Sequence, residues 1–203
     1  MTSSTARDAV EAASRLRVLL SRKEIAVGVE RLAGEVRQDY GPLAPGEALR
    51  QAIPVRGEPV EPPLVVGVLK GAFVFMADLV RALNIPVTMD FVRVSSYGSG
   101  TTSSGQPRII HGVRSPLRGR HVLVVEDIVD MGITTRFLRD YLQSKGAASV
   151  KLCALLSKPS RRQVEVDIDY LGFTVPDLFV VGYGLDFDQQ YRHLPDICVI
   201  PST

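Results

Sequence analysis

The run from Val122 to Thr135 constrains the chain more than any other stretch. Val122 to Val125 is a short apolar, β-branched run of the kind that fits a strand buried on both faces. Glu126, Asp127 and Asp130 follow, three carboxylates too closely spaced to bury unless hydroxyls, a metal or a cationic transition state meets them. Gly132 then permits a tight turn, and Thr134 and Thr135 lead into the helical pattern Arg136 to Leu142. The run therefore reads strand, acidic loop, helix N-terminus. Free N–H groups at such a terminus, aided by the helix dipole, make an anion site, and threonine hydroxyls add donors. A phosphate fits at Met131, Gly132, Ile133, Thr134 and Thr135. Ribose hydroxyls or a divalent cation suit the acids. On an extended strand Glu126 and Asp127 would point to opposite faces, so they can share a ligand only if the strand has already ended there. A single aspartate before a helix is more often a plain cap. The whole run is better read as a ligand site.

Elsewhere, strand and helix patterns alternate without an internal repeat or a low-complexity linker. Arg7 to Leu20 reads as a helix, and Ser21 with Glu24 forms a capping box that starts a second helix running to about Asp39. Gly41 to Pro63 is rich in proline and glycine and reads as a loop. Leu64 to Leu69 is a buried-strand pattern, Lys70-Gly71 a turn, and Ala72 to Leu83 a helix. Further strands are expected at Val87 to Val94, Arg108 to Gly112, Val150 to Leu156, Ile168 to Phe173, Leu178 to Gly182 and Ile197 to Ile200. Such alternation predicts an α/β fold, a mostly parallel sheet with helices on both faces and ligands outside the carboxyl ends of the strands.

The 203 residues fit one domain with a sizeable core, and 45% hydrophobic with 23% charged residues is ordinary for a globular chain. A net charge of +2 gives no support to a nucleic-acid or membrane surface. The first ten residues lack the apolar core of a signal peptide and no stretch approaches a membrane span, which places the chain in the cytosol. Cys153 and Cys198 sit alone in apolar runs and read as buried thiols. His111, His121 and His193 are scattered and read as structural.

The chain resembles a type I phosphoribosyltransferase, whose signature is an apolar strand, two acids, a short apolar step and Asp-Thr/Ser-Gly-x-Thr. Here the acids are Glu126 and Asp127, and the last segment is Asp130-Met131-Gly132-Ile133-Thr134. Met131 is the departure: it supplies no hydroxyl, which removes one side-chain hydrogen bond to the 5′-phosphate and leaves its backbone N–H. The resemblance runs from about Leu64 to Arg192. It implies the family fold over the whole chain, with a core at about 64–192 and a small hood from the N-terminal helices (7–39) and the C-terminal segment (176–203).

Several residues acquire roles through this resemblance. Lys70 and Gly71, which alone would read as a surface turn, match the loop that holds pyrophosphate. Ser96-Tyr97 opens a Gly/Ser-rich stretch and matches the family's mobile loop, a lid that would keep water from a reactive ribosyl cation. Lys158 lies just after a strand, where Pro159 disfavours helix; alone it reads as a solvated lysine. In the hypoxanthine-guanine branch, which the order of motifs resembles, this lysine donates to the purine 6-oxo oxygen, and an ammonium, having donors only, prefers oxo over amino. The stretch Pro176 to Asp186 with Arg192 is similar to the same branch. It implies Phe179 stacking on the purine, the Val180 backbone reading its edge, Asp186 linked to a metal with Glu126 and Asp127, and Arg192 on pyrophosphate. Asp130 is the implied general base.

The function implied is purine salvage: magnesium-dependent transfer of ribose 5-phosphate from phosphoribosyl pyrophosphate (PRPP) to N9 of hypoxanthine or guanine. A xanthine or pyrimidine enzyme is the nearer rival. A non-catalytic PRPP sensor that binds nucleic acid is the more distant one, and the small net charge weighs against it. PRPP and a 6-oxopurine are the expected partners, and the expected assembly is a homodimer or homotetramer.

Overall fold

The computed structural model describes residues 16–40, 62–95 and 107–201. In chain order these hold β1 (Arg17–Leu20), α1 (Arg22–Tyr40), β2 (Leu64–Leu69), α2 (Phe73–Leu83), β3 (Thr88–Ser95), β4 (Arg108–His111) and β5 (His121–Val129). There follow α3 (Ile133–Ser144), β6 (Ser149–Ser157), a 3₁₀ turn at Pro159–Arg161, β7 (Tyr170–Thr174), β8 (Val180–Val181) and β9 (Ile197–Val199).

Six strands form the large sheet in the order β4-β3-β2-β5-β6-β7. All neighbours pair parallel except β3 with β4. Its central strands alternate between two cores. Val65, Leu123 and Cys153 pack with the buried face of α1 and α2, whereas Val66, Val124 and Leu152 pack with Leu138 and Leu142 of α3. Helix α1 earns its place through a stripe of Ile25, Gly28, Val29, Leu32, Ala33 and Val36, the spacing of one helical face. Helix α2 buries Phe75, Met76, Leu79 and Leu83 in the same way, each such side chain contributing about 1.5–3 kcal/mol of transfer free energy. The expected capping box is present: Glu24 Oε2 accepts from the Ser21 backbone N–H at 2.8 Å, and the Glu24 N–H donates to Ser21 Oγ at 3.3 Å.

One expected element changes type. Arg17–Leu20, placed in a helix from Arg7, is strand β1, paired antiparallel with β9 in a small sheet of order β1-β9-β8. Four apolar-rich residues next to a helix cap cannot by themselves tell helix from strand; pairing of Arg17 with Val199 and Val18 with Cys198, far away in the chain, decides it. The rest of that expected helix lies outside the described residues. Helix α1 packs on α2 and β7 of the large sheet, so the described N-terminal contribution to the small sheet is β1.

The chain leaves β2 through α2 to β3 on one side, then returns to β5 on the other and continues through α3 to β6. The order of strands thus reverses between β2 and β5. In open parallel sheets this is the crevice where ligands bind, at the carboxyl ends of the strands.

Candidate active site

Two sets of loops meet at that crevice. The first follows β5. Gly132, at φ +84°, turns the chain into α3, and no side-chain hydrogen bond caps the helix, so its first amides face the loop with no side-chain acceptor. Thr135 is buried, with Ile133 and Thr134 partly so. The Met131 carbonyl accepts from the backbone N–H groups of Gln163 and Val164, both at 3.0 Å, which pins the loop from the far side. Lys158 is 7% exposed, and its backbone N–H donates to the Val129 carbonyl at 3.0 Å, tying the end of β6 to the end of β5. Lys158 is therefore not a solvated surface lysine.

The second set joins the turn after β2 to residues 184–192. Lys70 Nζ donates to Gln189 Oε1 at 2.9 Å. Arg192 donates from Nη1 to the Gly184 carbonyl at 2.8 Å and pairs through Nη2 with Asp186 Oδ1 at 2.7 Å. Gly71 is crowded: a Cβ there would fall 1.6 Å from Asp127 Oδ2, so glycine is required for the turn to lie against that carboxylate. The Leu69–Lys70 peptide is cis.

The carboxylate pair stands between the two sets. Strand β5 has not ended at Glu126 and Asp127, contrary to the condition set for them to share a ligand. It keeps pairing with β6 as far as Val129, although its pairing with β2 stops at Val125. The alternation slips instead: Val125 packs with the α1/α2 core and Val129, four residues on, with the α3 core. A regular strand would put both on one face. Glu126 is 6% exposed, and its Oε2 is buried with no hydrogen-bond partner among the described residues. Burial, and then the Asp127 charge, push its carboxyl well above the ordinary range. Loss of water pushes Asp127 up to about 6, against the Ile128 N–H and the Arg192 charge, which pull it down. Acids in this state call for a cation or hydroxyl donors.

The sign of the resulting pH effect is fixed. Unfolded Asp127 loses its proton near 3.8 and folded Asp127 near 6, so between these values the folded chain binds more protons and raising the pH erodes stability. Asp127→Asn, which has no proton to lose, should gain in melting temperature relative to the parent as pH climbs through that window, with ligand absent. Parallel curves for the two chains would contradict the raised carboxyl.

Asp130 sits at the mouth of the β5 loop and accepts from Arg161 Nε at 2.9 Å; the same guanidinium reaches Asp177 Oδ1 at 3.4 Å. Arg161 thus joins the implied base to the segment that carries Phe179. Phe179 is 52% exposed, edge to face with Phe187 at 5.4 Å between centroids, and Val180 is buried in β8 beside it. Ser96 and Tyr97 lie outside the described residues. Among the described residues no three His, Cys, Asp or Glu side chains close into a metal cage; Asp186 is engaged by Arg192 and the Gln189 N–H. Arg161, Gln189 and Tyr183 were not singled out from sequence, because the partners that join them to the site, Asp130, Lys70 and Asp78, are 31, 119 and 105 residues away.

Fold and site together define an α/β protein with carboxylates, cations and a helix N-terminus gathered at the crevice of its parallel sheet. The phosphoribosyl transferase domain family matches residues 46–188, and the chain belongs to the phosphoribosyltransferase family. It is 43% identical over 184 residues to the hypoxanthine-guanine phosphoribosyltransferase of Streptococcus pneumoniae, covering 91% of this chain and 92% of that protein. It is 53% identical over 138 residues to the bifunctional protein TilS/HprT of Listeria monocytogenes; these are 68% of this chain, and the chain spans only 21% of that relative's length. The solved hypoxanthine phosphoribosyltransferase of Staphylococcus aureus matches with a TM-score of 0.79 and 33% identity, over 99% of this chain and 96% of that one. No helix among the described residues is long and apolar enough to cross a membrane.

Proposed function

We propose that this chain works in purine salvage as a hypoxanthine-guanine phosphoribosyltransferase, moving ribose 5-phosphate from PRPP to N9 of a 6-oxopurine and releasing pyrophosphate. The observation that carries this reading is the convergence, at the β2/β5 reversal, of a carboxylate pair buried at Glu126 and partly buried at Asp127, an uncapped helix terminus and a cationic loop. Each matches one part of PRPP: the ribose, the 5′-phosphate and the pyrophosphate.

The 5′-phosphate takes the first amides of α3 with Thr134 and Thr135. Glu126 and Asp127 face the ribose, and Lys70, Gly71 and Arg192 hold the leaving group. The purine stacks on Phe179, with Lys158 on its 6-oxo oxygen and the Val180 backbone on its edge. As the bond from C1 to pyrophosphate breaks, the ribose gains positive charge that the acids stabilise; N9 bonds to C1 while Asp130 takes the N7 proton. Magnesium fits the donor set, since it asks for one or two carboxylates plus substrate oxygens, and Glu126 Oε2 beside Asp127 is a buried carboxyl oxygen with no hydrogen-bond partner among the described residues. Glu126 and Asp127 would hold one ion and Asp186 would hold another; when bound, magnesium neutralises charge on the pyrophosphate. The proposed assembly is a homodimer or homotetramer, which sedimentation velocity reads directly.

The direct test mixes the chain with PRPP, magnesium and each of hypoxanthine, guanine, xanthine, adenine and a pyrimidine, and follows nucleotide by chromatography. IMP or GMP is expected; nucleotide only from adenine or the pyrimidine would overturn the base assignment. Met131 offers a second test. Met131→Thr should tighten PRPP binding by about 0.5–1.5 kcal/mol, the worth of one added hydrogen bond, as read by calorimetry. Unchanged affinity would mean that the backbone already satisfies the phosphate.

A further inference from the structure

Three successive residues, Gly182, Tyr183 and Gly184, have φ of +95°, +51° and +98°. Glycine takes such angles freely, but tyrosine rarely does and needs its surroundings to hold it there. Backbone bonds hold part of the turn: the Tyr183 N–H donates to the Leu194 carbonyl at 2.7 Å and the Gly184 N–H to the Arg192 carbonyl at 3.1 Å. What fixes the tyrosine side chain comes from elsewhere in the fold. The Tyr183 hydroxyl donates to Asp78 Oδ2 at 2.5 Å, and Asp78 belongs to α2, the helix that begins just after Lys70-Gly71. The other oxygen of Asp78 is taken by Arg81.

We infer that Asp78 and Tyr183 form a latch that positions the pyrophosphate-binding groups. They are positioning residues, not catalytic ones, and the inference rests on the pyrophosphate role proposed for Lys70, Gly71 and Arg192. The route is short. The Gly184 carbonyl holds Arg192 Nη1 at 2.8 Å, and Gly184 lies so close to the β2 turn that a Cβ on it would be 2.3 Å from the Gly71 carbonyl oxygen. A turn that shifts at Tyr183 therefore moves the arginine and the glycine together. The Tyr183 ring is buried in the α1/α2 core, so the hydrogen bond sets where its hydroxyl end lies; Tyr183 and Asp78 also line a cavity of about 830 Å³ between α1, α2 and residues 192–195.

The test is a set of four variants: Tyr183→Phe, Asp78→Ala, the two combined, and Asp78→Asn, which keeps an acceptor oxygen for the hydroxyl. PRPP and hypoxanthine KM values, pyrophosphate affinity by calorimetry and melting temperature are measured for each. Cutting the bond should raise the PRPP KM and weaken pyrophosphate about tenfold, with hypoxanthine KM unchanged. The double variant should be no worse than either single one, and Asp78→Asn should recover most of the affinity lost in Asp78→Ala. A parallel rise in both KM values with a fall in melting temperature, additive losses in the double variant, or no recovery in Asp78→Asn would overturn the latch. If the parent chain itself fails to bind pyrophosphate, the underlying functional reading falls; if the parent binds and the variants bind equally well, the latch alone falls.

Discussion

Replacing Asp130 by asparagine is expected to lower turnover by about 10²–10⁴, the usual worth of a positioned general base, with little change in PRPP affinity. The substitution conserves shape and removes only the capacity to accept a proton. Its structural cost is small, because the ion pair it weakens is exposed: the Arg161 side chain is 44% accessible and that of Asp130 36%. Arg161 also keeps Asp177 at 3.4 Å. A loss in turnover at an unchanged melting temperature therefore reports chemistry. Single-turnover kinetics, which separate the chemical step from nucleotide release, are the measurement. Turnover equal to that of the parent would remove Asp130 from the role of base.

Gly71→Ala is expected to be nearly as damaging for a different reason. Its methyl group would fall 1.6 Å from Asp127 Oδ2 and 2.5 Å from Cγ, far inside contact distance. Neither neighbour can yield easily. Asp127 Oδ1 accepts from the Ile128 N–H at 3.0 Å, and the Gly71 carbonyl is pressed by Gly184. The turn must move away from the carboxylate, which displaces both the proposed pyrophosphate contacts and the acid proposed to face the ribose. A displacement of about 1 Å at a reacting centre costs about 10²-fold in rate, so kcat/KM should fall at least that far. The overpacking should also cost about 1–3 kcal/mol of stability in a denaturant titration. Gly34→Ala in α1 is the control, since a Cβ there meets only Arg37 Nη2 at 3.8 Å and alanine favours helix. If Gly71→Ala matched that control in kinetics, the close approach to Asp127 would have no catalytic meaning.

The elements that local pattern and composition specify were legible in the sequence. The all-apolar Leu64–Leu69 was recognisable as a buried strand, and Ser21 with Glu24 as a helix start, because each is decided by neighbours in the chain. The turn at Gly132 and the helix start after it were readable for the same reason. Arg17–Leu20 was misread because its strand character comes from β9, and the course of β5 past Asp127 because β6 alone sustains it. Arg161, Asp78 and Tyr183 stayed hidden, since their meaning lies in partners brought near only by the folded sheet. Even Lys158, recognised through resemblance, owes its burial to the way β6 ends beside β5.

The reversal of strand order between β2 and β5 has a consequence for how the protein comes to life. Residues 70, 127, 158 and 186 hang from four separate parts of the chain, and no contiguous fragment shorter than residues 70–186 contains all four. Regain of enzymatic competence after dilution from denaturant should thus coincide with the slowest spectroscopic phase and never precede it, making catalysis a reporter of the last assembly event.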